Sequence, residues 1–184
     1  MQRRTNCRLI LSRVSPQGKG GRDLPVAGPP HPDFLRRAIA LATRNAIESR
    51  GGPFGAVIVK DGRIVGEGAN AVTATNDPTA HAEVNAIRAA CKALNTFSLR
   101  GCDLYTSCEP CPMCLSAAYW ARIDAIYFGC GAADAARAGF DDAILYDELR
   151  REIGERTMPA TQLLRDEALA SIEAWIASPT KIQF

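Results

Sequence analysis

The chain has 184 residues, enough for one domain with a self-sufficient core. It is 47% hydrophobic and 23% charged, with 15 glycines and 11 prolines. That is ordinary globular usage, and it excludes collagen, a coiled coil and wholesale disorder. No apolar run approaches about 18 residues, so no segment reads as membrane-spanning.

The net charge of +2 is unevenly spread. Residues 1–32 carry Arg3, Arg4, Arg8, Arg13, Lys19 and Arg22 against Asp23 alone, a balance of +5. The remaining residues sum to −3, which argues against a nucleic-acid-binding body. The head is rich in proline and glycine and poor in apolar residues, so residues 1–32 read as a disordered basic extension. Its arginine-rich, acid-poor start resembles a transit peptide, but the composition supports a plain disordered tail better.

From Asp33 the pattern is that of a folded domain, 33–184. Phe34, Leu35, Ala38, Ile39, Ala42, Ala46 and Ile47 recur at helical spacing, and Gly51-Gly52 closes that helix. Phe54–Lys60 and Arg63–Ala69 flank Asp61-Gly62, the signature of a β-hairpin. A polar loop then leads into a helix over His81–Leu94. Cys102–Thr106 reads as a strand, Pro112–Ala121 as a helix and Ala125–Phe128 as a short buried strand. Residues 143–152 and 165–177 read as helices, with an edge strand at Thr157–Leu163 interrupted by Pro159. Strands alternating with helices after a hairpin predict an α/β fold, a three-layer α/β/α sandwich on a mixed five-stranded sheet.

Seven cysteines, an odd number in a chain that is not small, do not read as a disulfide framework. The expected compartment is the reducing cytoplasm. Cys108, Cys111 and Cys114 are clustered, and His81 is the only histidine outside the head. His81 and Glu83 form His-Ala-Glu at the start of one helix, and Pro110-Cys111-Pro112-Met113-Cys114 opens another. This is the H-x-E…P-C-x-x-C pattern of zinc deaminases. Two thiolates three residues apart share one face of a helical turn, and a helix N-terminus favours their negative charge. With His81 they make a three-ligand set for one zinc ion per chain, leaving a fourth position for water. Glu83, two residues from His81, is placed to move protons rather than to bind metal. A closed structural site, with Cys108 as fourth ligand in a non-enzymatic interaction module, is the alternative.

Four passages carry a family resemblance: GGPFGAVIVKDG at 51–62, NDPTAHAEVNAIR at 76–88, SCEPCPMCLSAAYWAR at 107–122 and AGFDD at 138–142. They resemble the cytidine deaminase superfamily over residues 33–184. Gly139-Phe140-Asp141-Asp142 and the later Glu-Arg-Thr resemble its guanine deaminases in particular. The resemblance implies hydrolysis of guanine to xanthine and ammonia, with guanosine or tRNA adenosine as alternative substrates.

It further implies that Glu83 and Asp142 are catalytic, and that Asn70, Phe54, Trp120 and Phe184 contact a small purine, with lesser contributions from the Ala82 backbone and Ser107. Read locally, Asn70 is equally a turn residue, Asp142 a helix N-cap, and Phe54 and Trp120 core aromatics. The guanine deaminases it resembles are domain-swapped homodimers whose tail caps the partner's site with a terminal tyrosine. Here the tail 178–184 ends in Phe184, which keeps a stacking ring and lacks the hydroxyl.

Overall fold

The computed structural model describes residues 29–183. Most of the basic extension and Phe184 therefore lie outside the described residues. The first helix, α1, runs Pro32–Ile47, with proline in its first turn, where no amide partner is lost. His31 is its N-cap, and the His31 backbone N–H donates to the Tyr105 hydroxyl at 3.2 Å. Ala38, Leu41, Ala42 and Asn45, spaced as one helical stripe, are its buried residues.

Strands β1 (Gly55–Lys60) and β2 (Arg63–Ala69) pair antiparallel through the Asp61-Gly62 turn, whose residues have φ of 49° and 71°. A short helix α2 (Val72–Thr75) precedes α3 (Ala82–Leu94). Strand β3 (Cys102–Cys108), α4 (Pro112–Ala121) and β4 (Ala125–Cys130) follow, then α5 (Ala132–Arg137), α6 (Ala143–Arg150) and α7 (Arg165–Ala177). The sheet order is β2-β1-β3-β4, with β3 antiparallel to β1 and parallel to β4.

The layers follow from alternation along the central strands. Ala56 and Ile58 of β1 pack with Leu104 of β3 against Ala82, Ala86 and Ala90 of α3 and Ala118 and Ala121 of α4. Val57, Val59 and Tyr105 point the other way, against Leu41, Phe34 and Leu35 of α1. The sheet is thus covered on both faces, as the sandwich predicts.

Helix α3 lies unusually close to β2. A Cβ on Gly68 would sit 2.2 Å from the Ala82 carbonyl oxygen, and one on Gly66 2.5 Å from that of Ala86. Only glycine admits this approach, and it fixes where the start of α3 lies.

The fifth strand is a correction: four strands form among the described residues. Over Thr157–Leu163 Pro159 has no amide to offer a ladder. The Thr157 amide and hydroxyl instead donate to the Glu148 carboxylate, at 2.8 and 2.9 Å. No described helix is long and apolar enough to cross a membrane.

Candidate metal and active site

The N-termini of α3 and α4 meet at one point. His81 is the N-cap residue of α3 and Cys111 that of α4, and neither spends its side chain on capping. Both side chains therefore remain available to a ligand. Cys114 follows one turn along α4. The His81 Nδ1 lies 3.6 Å from the Cys111 Sγ and 3.5 Å from the Cys114 Sγ. All three ligand atoms fall within 4.8 Å of one another, the one such group among the described residues. Two soft sulfurs and an imidazole nitrogen at this spacing fit one zinc ion.

Cys108 stands outside the group. Its thiol donates toward the Gly131 carbonyl at 3.7 Å, and burial pushes it up to about 11. The four-ligand structural site therefore lacks its fourth member.

The loop that delivers His81 is braced by side-chain amides. Asn85 donates to the carbonyls of Ala69 and Ala80, at 3.0 and 3.2 Å. Asn70 is 6% exposed and accepts at Oδ1 from the backbone amides of Gly52 and Val72, at 3.1 and 3.3 Å. With the oxygen engaged by two N–H groups, the NH₂ end is what Asn70 offers to a ligand.

His81, Cys111 and Asn70 line a cavity of about 550 Å³ together with Phe54, Glu83, Glu109, Phe140 and Asp142. Glu83, 6% exposed, carries a carboxyl raised above its usual range, chiefly by burial. Burial also raises Asp142. The Cys111 thiol is pushed far down by hydrogen bonds from Cys114 and, after that, His81, and His81 is raised by its bond to Cys111. A metal ion bound by these three groups would displace the protons they share.

Seven predicted residues converge here: His81, Cys111, Cys114, Glu83, Asn70, Asp142 and Phe54. Trp120 does not. It is 66% exposed and lines a separate groove with Phe97, Trp175 and Ile182. Six residues beyond Cys114, it lies about 240° around α4 from that thiol and cannot share its face. Ser107 lines a neighbouring apolar cavity, where its hydroxyl accepts from the Gly55 amide at 3.1 Å. Phe184 lies outside the described residues.

Phe140 is a lining residue that sequence reasoning passed over. Its ring meets that of Phe54 edge-on, centroids 4.9 Å apart at 82°, and the two make an aromatic wall. The signal was Gly139, whose φ of 90° turns the chain there.

Residues 30–130, more than half of the chain, match the family model of the cytidine and deoxycytidylate deaminase zinc-binding region. The chain belongs to the cytidine and deoxycytidylate deaminase family. Within that family it is 55% identical over 145 residues to guanine deaminase from Bacillus subtilis, covering 79% of this chain and 93% of that protein. The X-ray structure of guanine deaminase from Bacillus subtilis superposes with a TM-score of 0.82 at 52% identity, over 85% of this chain and 99% of the other. The likeness to tRNA-specific adenosine deaminase from Aquifex aeolicus is shorter, 47% over 95 residues, 52% of this chain and 62% of that protein.

Proposed function

We propose that this deaminase hydrolyses guanine to xanthine and ammonia. The observation that carries this reading is the convergence of His81, Cys111, Cys114, Glu83, Asn70 and Asp142 on one cavity. The choice of guanine rests on where the similarity extends. The resemblance to guanine deaminase spans most of the chain, whereas the likeness to tRNA adenosine deaminase is confined to about half of it.

When bound, zinc supplies the Lewis acidity that makes water a nucleophile near neutral pH. Held by His81, Cys111 and Cys114, the ion would supply that activation. Glu83, buried next to the Cys114 thiol, would accept a proton from the attacking water and deliver it to the ring nitrogen beside C2. Its raised proton affinity suits a group that must both accept and return a proton. Addition of hydroxide at C2 is followed by transfer of the new hydroxyl's proton, by way of Glu83, to the exocyclic amine; the C2–N bond breaks, the C2 carbonyl forms and ammonia leaves. Asp142 holds that amine, while the Asn70 NH₂ donates to acceptors on the ring. Phe54 and Phe140 enclose the flat base. Ammonia release from guanine, guanosine, adenine, cytosine and ammeline tests the reading. Guanine should be the preferred substrate, and release from another base but not from guanine overturns the assignment.

The working form we infer is a cytoplasmic homodimer in which Phe184 closes a partner's site. Its support within the chain is the tail. Helix α7 has no buried residue, Ile172, Ile176 and Ile182 are exposed, and among the described residues no helix or strand follows Ala177. Deleting residues 178–184 should raise KM for guanine with zinc retained, and light scattering should report two chains per particle. A fully active monomer overturns the swapped arrangement.

A further inference from the structure

Asn45 is a polar residue in the apolar stripe of α1, 6% exposed, and nothing in the chemistry above uses it. Its Nδ2 donates to two backbone carbonyls at once, Gly52 and Asn70, each at 2.8 Å. The Gly52 amide in turn donates to the Asn70 Oδ1 at 3.1 Å. The three residues therefore close a ring of hydrogen bonds. One side is made by the Asn45 side chain, one by the Gly51-Gly52 loop and one by Asn70. Its members come from α1, from the loop entering β1 and from the end of β2.

The ring is tight as well as closed. A Cβ on Gly51 would lie 2.4 Å from the Asn70 carbonyl oxygen and 3.1 Å from the Asn45 Nδ2. Asn70 also donates its own amide to the Phe54 carbonyl at 3.0 Å, which ties the ring to the aromatic wall of the cavity. Both the main chain and the side-chain oxygen of Asn70 are thereby held, which leaves its NH₂ end as the group it can offer to the cavity it lines. A buried group that spans two carbonyls needs two donors in one plane, which the asparagine amide supplies and neither alanine nor aspartate can.

We propose that Asn45 is a positioning residue of the purine site, orienting Asn70 and the Gly52 loop so that the Asn70 NH₂ group meets the base. This role rests on the reading of Asn70 as a purine-binding residue. Asn45 itself touches neither substrate nor metal ligands, so its removal should act on binding through Asn70 and leave the proton chemistry of Glu83 in place.

The test is a double-mutant cycle on the full chain with zinc bound, read as KM and kcat for guanine. Asn45→Ala should raise KM on the order of tenfold, change kcat by less than about threefold and leave one zinc per chain. In an Asn70→Ala background the same substitution should raise KM no further. If Asn45→Ala fails to fold, the isosteric Asn45→Asp, which lacks both donors, runs the same cycle. Effects that multiply in the double variant overturn the proposal, because Asn45 would then act independently of Asn70. A normal KM in the Asn45 variant beside a defective Asn70→Ala overturns it alone. A normal KM in Asn70→Ala removes the purine role of Asn70 and the role of Asn45 with it.

Discussion

Asp141, and not its neighbour Asp142, supplies the side-chain hydrogen bond at the start of α6. The Asp141 Oδ1 accepts from the Ala143 amide at 2.9 Å, closing the start of α6, while Asp142 occupies the N-cap position without a side-chain capping bond. Both aspartates line the cavity, and Asp142 comes to it without a capping bond to keep.

Exchanging the two should separate stability from activity. Asp141→Ala should cost about 1 kcal/mol, the usual loss for a helix-start hydrogen bond, with guanine turnover maintained. Asp142→Ala should abolish most turnover with little change in melting temperature. Thermal melts and steady-state kinetics on the two proteins check both halves.

Zinc content should follow the geometric group. Cys111→Ala and Cys114→Ala leave two ligands each and should lose metal on dialysis, with activity lost alongside. Cys108→Ser should keep one zinc per chain, because that thiol addresses Gly131 instead. Elemental analysis decides it, and metal loss in the Cys108 variant would restore the structural-site alternative.

Glu83→Gln retains size and hydrogen bonding but carries no transferable proton. Zinc should remain bound while turnover falls by at least roughly 10²-fold, the usual scale for a general acid–base group. Near-normal turnover in this variant would remove Glu83 from the proton path.

The close seating of α3 predicts a mutation outside the cavity that harms it. Gly68→Ala places a methyl group against the Ala82 carbonyl, which belongs to the backbone and cannot swing away. The expected cost is about 1–3 kcal/mol, as for overpacking, together with weaker zinc retention as His81 is displaced. Chemical denaturation and competition with a chelator measure the two effects.

On the opposite face, Arg37 grips the Glu67 carboxylate with two bonds of 2.7 and 2.6 Å. The Arg37 hydrogen bond holds that carboxyl below its usual 4.5. Because the folded value is depressed, the pair's contribution is complete above the unfolded value and disappears as pH falls through the folded one. Both groups are partly exposed, so the contribution is about 0.5 kcal/mol. Unfolding free energies of the native chain and Glu67→Gln should differ by that small amount at about pH 6–8 and converge as pH falls through the depressed folded value, below the usual 4.5.

The metal ligands and Glu83 were legible because they form two short motifs, each at a helix start that its own residues announce. The hairpin was equally legible, since Asp61-Gly62 dictates its turn locally. Thr157–Leu163 was misread because nothing local to the segment shows that Glu148, nine residues earlier, takes the Thr157 amide and hydroxyl in place of a neighbouring strand. The position of Trp120 was not legible, because its motif neighbours lie on another side of the same helix and it lines a different groove of the chain. The brace from Asn45 to Asn70 spans 25 residues of sequence, and no periodicity connects a helix-stripe asparagine to the end of a distant strand.

The meeting of two helix starts at His81 and Cys111 also has a consequence for the chain as a polymer. The two residues are 30 apart in sequence, and between them run all of α3 and β3. A metal ion held by both acts as a reversible cross-link that closes this segment into a loop, lowering the entropy of the unfolded chain if the link persists there. If the ion instead binds only the folded form, mass action stabilises that form in proportion to the logarithm of free zinc. Either way, the same ion that equips the site sets the temperature at which the domain opens.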